Sequence, residues 1–276
     1  HDRWMQKEFE RGLVSVIVPV FNRAELVQMA LDSVIAQAYR PIELIVVDDG
    51  STDHTPDVVQ EWADRHGKEP DFEISLYQQP NKGAPAARNL GLIESRGEFI
   101  QLLDSDDQLH PEKLSAQLSL LRKNERADFV WSPPRYFESD AEMDTEVERN
   151  RDLNIRTKGE VKRPEDAANP VTMLIRRSIC RTAGPWHEDL PRWQDWEYAF
   201  RLSGLEPCYH LSVDESHYFV RLHDQGRIGD LEGSEEGVAA NLEALRAIED
   251  LEEWVSNDAF VQTIRRLYVN TLRIAL

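Results

Sequence analysis

The residues best suited to chemistry in this chain are three carboxylates within four positions, Asp104, Asp106 and Asp107. They follow the largely apolar run 98–103, which has the composition of a buried strand. Carboxylates this close repel one another, and a hard divalent cation such as Mg²⁺ or Mn²⁺ commonly holds them together. A solvated acidic turn ahead of a helix that Pro111 opens explains the run as well when it is taken alone. The elements around the run must decide between a metal site and a turn.

Short β-rich runs alternate with helical patterns from Val14 to Ser132, which is typical of a sheet built from βαβ units. We therefore predict an α/β fold with a mostly parallel sheet flanked by helices. Strands are predicted at 14–18, 42–47, 74–77, 98–103 and 128–132, and helices at about 26–34, 55–65, 85–94 and 111–123.

Beyond Ser132 the predicted elements are shorter, and the charged stretch 138–149 is predicted to be a mobile loop. The predictions there are a strand at 172–175, a loop at 184–192, a helix at 194–202, a strand at 217–222 and two helices after residue 234. The expected division is an extension or tag remnant at 1–13, a nucleotide-binding-type half at 14–132, a smaller half at 133–230 and C-terminal helices at 231–276. The apolar stripes of those last helices are typical of core or of a surface between copies of the chain.

The composition limits the classes of partner. The chain has 276 residues, 41% of them hydrophobic, which is ample for a buried core. Its formal net charge of −19 opposes nucleic acid and anionic membranes as general partners, so a phosphate-bearing ligand needs local positive charge. No apolar run is long enough to cross a bilayer, and we expect a cytosolic protein or one peripheral at the inner membrane face. Cys180 and Cys208 lack metal or redox spacing and are interpreted as ordinary thiols.

Ligands of open α/β sheets bind beyond the carboxyl ends of the strands, so the segments that follow the predicted strands are the candidate site. The first strand leads into Pro19-Val-Phe-Asn, and the second leads into Asp48-Asp-Gly-Ser-Thr-Asp. Turn and N-cap chemistry accounts for much of the second segment. Two consecutive aspartates after a fully apolar strand are harder to explain by capping alone. We predict that Asp48 or Asp49 accepts hydrogen bonds from a ligand.

Four stretches together resemble the ordered motifs of the family 2 glycosyltransferases with the GT-A fold. They are VSVIVPVFNR at 14–23, VVDDGSTD at 46–53, NKGAPAARNLG at 81–91 and LDSDD at 103–107. The resemblance covers residues 14 to about 225 and is firm to about 132. It implies a metal-dependent, inverting transfer of one sugar from a nucleotide-diphosphate sugar, most typically a UDP-sugar, to a hydroxyl of a growing glycan, a lipid-linked glycan or another glycoside.

The resemblance also implies roles for residues that bind the sugar donor. Asp49 would accept a hydrogen bond from the base, typically the N3 proton of uracil, while Pro19 and Phe21 would line the base and ribose pocket. Arg88 would reach the base or the diphosphate.

The run Asp104-Ser105-Asp106 is similar to the family's DxD motif. The resemblance implies that Asp106 ligates Mn²⁺ or Mg²⁺ and that Asp104 lies nearer the ribose or the water shell of the ion. The element Arg221-Leu222-His223 resembles a late Arg-x-His element, which makes His223 a further candidate metal ligand.

Residues 192–198, RWQDWEY, look like the family's Glu-Asp-Trp segment at a helix start, and this makes Asp195 the candidate catalytic base. Gln194 stands where Glu is usual, which leaves open what orients the base. Glu197 and Asp189 are the rival bases. Three further residues flank the proposed base and are candidates for an acceptor platform: Trp186, His187 and Trp193.

Two other classes compete with this interpretation. A sugar-nucleotide nucleotidyltransferase usually has a glycine-rich phosphate loop after its first strand, and the stretch 19–23 contains no glycine. A catalytically inactive carbohydrate-binding module would not need Asp104, Asp106 and Asp195 intact. Both alternatives are weaker than a glycosyltransferase.

Overall fold

The computed structural model describes residues 8–138, 142, 157–160, 169–190, 193–205, 210–213 and 217–222, with five helical positions between 239 and 246. In this part of the chain no helix is long and apolar enough to cross a membrane. The candidate ligand His223, the second cysteine and almost all of the stretch 138–149 and of the predicted C-terminal helices lie outside the described residues.

Four parallel strands form the half of the sheet that carries the motifs. They are β1 (Glu10–Val20), β2 (Ile42–Asp48), β3 (Phe72–Gln78) and β4 (Gly97–Leu102), in the spatial order β3-β2-β1-β4. Both β2 and the last eight residues of β1 are buried on each face, as their continuous apolar composition predicts. Because all four strands point the same way, their carboxyl ends meet at one edge of the sheet.

The later strands complete two sheets. They are β5 (Gln108–Leu109), β6 (Phe129–Trp131), β7 (Pro134–Phe137), β8 (Thr157–Glu160), β9 (Met173–Arg176), β10 (His210–Val213) and β11 (Tyr218–Arg221). Strand β9 runs antiparallel between β4 and β6, and β10 and β8 extend that main sheet. A small second sheet has the order β5-β11-β7. The main sheet therefore contains strands from both predicted halves of the chain.

Six helices flank the sheets in the described residues. They are α1 (Val27–Ile35), α2 (Thr55–His66), α3 (Ala84–Glu94), α4 (Lys113–Lys123), α5 (Arg177–Ala183) and α6 (Gln194–Gly204), and a short 3₁₀ helix covers Pro170–Thr172. Helix α3 begins after Gly83, whose φ of 90° is accessible to glycine. It packs closely on β1, because a Cβ atom at Gly91 would overlap the side chain of Ile17. This close packing fixes the position of the side chains on α3.

The predicted α/β class and its mostly parallel, helix-flanked sheet are confirmed. The predicted strands at 14–18, 42–47 and 74–77 lie inside longer observed strands, and the helix predicted from 111 begins at Lys113. Five observed elements were not predicted: β5, β7, β8, β10 and α5. They have two to seven residues each and carry little periodicity.

A buried polar cluster lies between α4 and β11. Lys113 is fully buried, and its Nζ donates to Gln117 Oε1 and to the carbonyl of Thr172, each at 2.8 Å. Burial lowers the pKa of Lys113 well below its usual value. Burial, together with the charges of Lys113 and His110, lowers the pKa of His217 to about 3. His217 is therefore a neutral side chain in the folded protein at neutral pH.

This shift predicts a specific form of acid sensitivity. Between pH 6.5 and about 3 the unfolded chain binds a proton on His217 that the folded chain does not, so the free energy of unfolding falls as the pH falls through that window. The change His217→Phe should flatten the fall, because phenylalanine binds no proton. Urea unfolding across the window measures it, and parallel curves for the two proteins would refute the assignment.

Candidate active site

The segments after β1 and β2 are joined to each other by hydrogen bonds. Asn22, in the left-handed region with a φ of 50°, accepts the Thr52 N–H on its Oδ1 at 2.8 Å and donates its own N–H to Ser51 Oγ at 2.9 Å. The N–H of Arg23 donates to Thr55 Oγ1 at 2.8 Å. These bonds make one rigid rim from two loops.

Asp49 lies in this rim and is almost fully buried. Its Oδ1 accepts from Gln79 Nε2 at 2.7 Å and from the Lys82 N–H at 2.9 Å, and its Oδ2 accepts from the Gly83 N–H at 2.7 Å. A carboxylate has about four acceptor positions, so one is left for a ligand. Asp49 thus also fixes the turn that starts α3, a role that the sequence did not indicate.

The other residues of the predicted base pocket differ in exposure. Phe21 is 41% exposed, so its ring is available to a ligand, whereas Pro19 is buried at the end of β1. Asp48 is buried and accepts from Gln78 Nε2 at 3.2 Å and from the Ser51 N–H at 3.2 Å. Of the two aspartates, Asp48 has its carboxylate directed to the strand neighbour and Asp49 to the start of α3.

The acidic turn follows β4 and is held from behind by β11. The carboxylate of Asp107 is buried and accepts the Arg221 N–H at 3.0 Å. The Asp104 N–H donates to the Tyr218 hydroxyl at 3.2 Å. Asp107 is therefore a structural residue of the turn, while the side chains of Asp104 and Asp106 remain partly exposed. Ser105 is buried between them.

The pKa values of Asp104 and Asp107 indicate that the negative charges of the acidic turn are only partly neutralised by the protein. Burial, with Asp195 and Asp106, raises the pKa of Asp104 to about 6, although Arg88 opposes that rise. Burial, followed by Asp104 and Asp106, raises the pKa of Asp107 well above its usual value. A cation at the exposed side of the turn would relieve this repulsion.

Arg88 on α3 joins the acidic turn to the candidate base. Its side chain is only 4% exposed, with Nη2 at 2.8 Å from Asp104 Oδ1 and Nη1 at 3.2 Å from Asp195 Oδ1. The guanidinium carbon lies 4.6 Å from the centre of the Trp186 ring. Burial disfavours the charged form, but Asp195 and Asp104 more than offset it and raise the pKa of Arg88 above its ordinary value. The guanidinium is therefore charged, and it holds both carboxylates.

Asp195 lies in the first turn of α6 and its side chain is 37% exposed. Of its two rivals, Glu197 is buried and makes two bonds to Arg201, at 2.7 and 2.8 Å, while Asp189 lies exposed in the preceding loop. Gln194 donates from Nε2 to the Leu190 carbonyl at 2.8 Å, so it fixes that loop. The contact that the structure shows at the Asp195 carboxylate is thus the ion pair with Arg88 of α3.

The three predicted acceptor residues occupy different environments. Trp186 is 2% exposed. The Tyr198 ring stacks on it at 4.2 Å between ring centres and the Arg88 guanidinium lies over it, so the Trp186 ring is not accessible to a ligand. His187 is exposed and lines a cavity of about 390 Å³ between α3 and the loop 185–189. Trp193 is half-buried at the start of α6, with a φ of 57°.

Asn89, next to Arg88 on α3, holds the loop that carries Trp186. Its Oδ1 accepts the Trp186 N–H at 2.8 Å, and its Nδ2 donates to the Trp186 carbonyl at 3.0 Å and to Glu188 Oε1 at 2.8 Å. The residue lay in the 81–91 motif, yet nothing in the sequence singled it out. Arg23 was also missed, and its Nε lies 3.7 Å from Asp106 Oδ2.

The carboxylates of the acidic turn can be compared with the ligands that Mg²⁺ and Mn²⁺ require. No group of three or more His, Cys, Asp or Glu side chains in the described residues has the arrangement of a metal site. Mg²⁺ and Mn²⁺ at phosphate-binding sites use one or two carboxylates and complete their shell with substrate phosphates and water. The crowded pair Asp104 and Asp106 therefore fits such an ion without a third protein ligand.

A comparison with protein families identifies the family of this chain. The family model "Glycosyl transferase family 2" matches residues 15–184, which is more than half of the sequence. This chain belongs to glycosyl transferase family 2.

Its curated relatives include an uncharacterized glycosyltransferase of Rickettsia typhi, 36% identical over 126 residues, which are 46% of this chain and 37% of the relative. Another, from Rickettsia felis, is 29% identical over 217 residues, covering 74% of this chain and 33% of the relative. The chain therefore spans well under half the length of these relatives.

Solved structures share the GT-A fold. The crystal structure of S. aureus TarS residues 1–349 matches 94% of this chain and 71% of its own, with a TM-score of 0.66 and 20% identity. TarS has also been solved with UDP and with UDP-GlcNAc. The Pyrobaculum calidifontis mannosyltransferase PcManGT, solved with GDP-Man and Mn²⁺, matches 99% of this chain and 80% of its own, with a TM-score of 0.61 and 20% identity.

The Asn89 contacts predict a measurable stability effect. Asn89→Ala leaves the buried backbone groups of Trp186 without partners, and should lower the free energy of unfolding by about 1–3 kcal/mol. Asn81→Ala, on an exposed side chain of the same motif, is the matched control and should change it by less than about 0.5 kcal/mol. Urea unfolding compares them, and equal stabilities would rule out the Asn89 clamp.

Proposed function

We propose that this chain is a metal-dependent, inverting glycosyltransferase that moves one sugar from a nucleotide-diphosphate sugar to a hydroxyl acceptor. The observation that carries the proposal is the position of Arg88, whose guanidinium contacts Asp104 of the acidic turn and Asp195 of α6. A donor-binding carboxylate and a candidate base thus lie within one side chain of each other. Such proximity is what a direct transfer between two bound substrates requires.

The arrangement of the strands supports a nucleoside diphosphate as donor. Asp49 follows β2 and Asp104 follows β4, on either side of β1. Adjacent strands lie about 4.8 Å apart, so the strands that lead to the two residues are separated by about 10 Å along the sheet edge. Asp49, with one acceptor position left, would take a base N–H such as N3–H of uracil, and the exposed Phe21 ring would cover the base or ribose. We propose a UDP-sugar as the donor.

Asp106 and Asp104 would hold Mn²⁺ or Mg²⁺ at the exposed side of the acidic turn. When bound, the ion supplies charge stabilisation to the leaving diphosphate. Arg23 and Arg88 lie beside the same carboxylates and supply positive charge at Asp106 and Asp104 respectively. The metal-ligand role of His223 stays a prediction, because the residue lies outside the described part of the chain.

Asp195 is proposed as the base. Its carboxylate would take the proton of the acceptor hydroxyl while that oxygen bonds to the anomeric carbon, and the bond from this carbon to the diphosphate oxygen breaks with its electron pair leaving on the diphosphate. Attack from the face opposite the leaving group inverts the anomeric centre. The ion pair with Arg88 would hold the carboxylate in position for this transfer.

The acceptor would approach past the loop before α6. His187 and Trp193 are accessible there, and the cavity of about 390 Å³ beside His187 has room for a sugar. Trp186, covered on its ring faces, would instead act as the support for Arg88. Several hydroxyl acceptors fit this description, including a glycan, a lipid-linked glycan or another glycoside.

A thermal-shift screen tests the donor class. UDP-, GDP- and dTDP-sugars are added with and without Mn²⁺, since a ligand that binds the folded state raises the unfolding temperature. We expect the largest rise for a UDP-sugar with Mn²⁺. No rise with any nucleotide sugar would refute the proposed function and favour an inactive carbohydrate-binding module, while release of pyrophosphate from a nucleoside triphosphate and a sugar phosphate would indicate a nucleotidyltransferase.

Two substitutions separate donor binding from transfer. Asp106→Ala should abolish the Mn²⁺-dependent part of donor binding, whereas Asp195→Asn should preserve binding and lower kcat by about 10²–10⁴-fold, because it removes the proton acceptor. Calorimetry measures the binding, and release of nucleoside diphosphate measures kcat.

The control is Asp57→Asn on α2, whose side chain is 80% exposed and should affect neither quantity. Wild-type turnover by Asp195→Asn would show that the base is wrongly assigned. Loss of turnover in Asp189→Asn would then identify the rival.

A further inference from the structure

The acidic turn is held by a strand that lies far away in sequence. Tyr218, the first residue of β11, contacts Asp104 across 114 positions of the chain. Its side chain is fully buried and is not part of the proposed donor or acceptor contacts. Its hydroxyl nevertheless reaches two of the three carboxylate residues of the turn.

The Tyr218 hydroxyl faces both ends of the acidic turn. Its oxygen accepts the Asp104 N–H at 3.2 Å. Burial raises the pKa of Tyr218 well above its usual value, and the nearby Asp107 carboxylate adds to that rise. One buried hydroxyl therefore lies between the backbone at the start of the turn and the carboxylate at its end.

A second group of β11 holds the end of the turn. Arg221, three residues further along β11, donates its N–H to Asp107 Oδ1 at 3.0 Å. Two groups of β11 thus hold the turn, one at Asp104 and one at Asp107. The side chains of Asp104 and Asp106 stay on the accessible side, at 31% and 22% exposure.

We propose that Tyr218 is a positioning residue for the donor site, whose hydroxyl fixes the acidic turn so that Asp104 and Asp106 face the same ligand. The proposal rests on the proposed function for the identity of that ligand. Tyr218 does not touch the reacting atoms. It acts through the backbone of Asp104, as outer partners of ligand-binding carboxylates do.

The change Tyr218→Phe tests the role, because it keeps the buried ring and removes only the hydroxyl. Tyr39→Phe is the matched control: the Tyr39 hydroxyl donates to the Gly12 carbonyl at 2.5 Å and accepts from Arg122 Nη2 at 2.8 Å, at the opposite end of β1. Both variants lose a hydroxyl that accepts a hydrogen bond from an N–H group. Only the first is near the acidic turn.

Two readouts distinguish positioning from general stability. Hydrogen exchange of the Asp104 amide should speed up by about tenfold or more in Tyr218→Phe, since its acceptor is gone, and should be unchanged in Tyr39→Phe. The Mn²⁺-dependent affinity for UDP should fall by about 10–100-fold in Tyr218→Phe alone. UDP affinity without metal should be the same in all three proteins, because Asp49 and Phe21 are unaffected.

Unchanged exchange at Asp104 together with wild-type Mn²⁺ dependence would overturn the proposal. If Tyr218→Phe does not fold, Asp107→Ala removes the acceptor of the Arg221 N–H, which is the second contact of β11 with the turn, and the same two readouts should change in the same direction. If the wild-type protein binds no nucleotide, the proposed function fails, while the exchange rate at Asp104 still decides whether Tyr218 holds the turn.

Discussion

The concentration of carboxylates at one edge of the sheet is the constraint on which the site depends. Asp104 and Asp195 come from distant parts of the chain and both contact Arg88, which is almost fully buried, while Asp106 lies beside Arg23. A buried guanidinium is stable only if its charge is paired, and removal of one partner typically costs about 3–5 kcal/mol. The carboxylates in turn need a cation, since burial, reinforced by Asp195 and Asp106, raises the pKa of Asp104 to about 6 even though Arg88 opposes that rise. Each group is therefore stable where it is because the others are present.

The sheet and α3 provide the rigidity that this arrangement requires. Strand β1 is flanked by β2 and β4, and α3 packs on it so closely that Gly91 has no room for a side chain. Arg88 then projects from a fixed helix, with Trp186 stacked against it and Asn89 holding the Trp186 loop. The candidate base, Asp195, lies on α6, which follows this loop in the chain. The donor side is thus built from local strand ends, and the acceptor side depends on contacts between the halves.

This difference explains what could be predicted from the sequence. The strands and the segments 19–23, 48–53 and 104–107 follow from hydrophobic runs and from the rule that parallel strands end at one edge. The resemblance to the family identified Asp195 as the candidate base. Its ion pair with Arg88 depends on how the 185–190 loop packs, which the sequence does not show. Periodicity carries no information on such contacts. The role of Tyr218 could not be predicted for the same reason. Its hydroxyl accepts a hydrogen bond from a residue 114 positions away, and the sequence alone does not distinguish it from any other buried tyrosine of a short strand.

The central claim is that Arg88 couples the donor-side carboxylate to the base. A double-mutant cycle on kcat tests it directly, using Arg88→Lys, Asp195→Asn and the double variant with the donor found by thermal shift. Lysine keeps the charge but cannot bond two carboxylates and stack on Trp186 at once. If the two residues act together, the double variant should be no slower than Asp195→Asn alone. The two substitutions would then have an interaction free energy of about 0.5–3 kcal/mol on kcat. Rate losses that simply multiply would contradict it, because they would mean that Arg88 and Asp195 act independently.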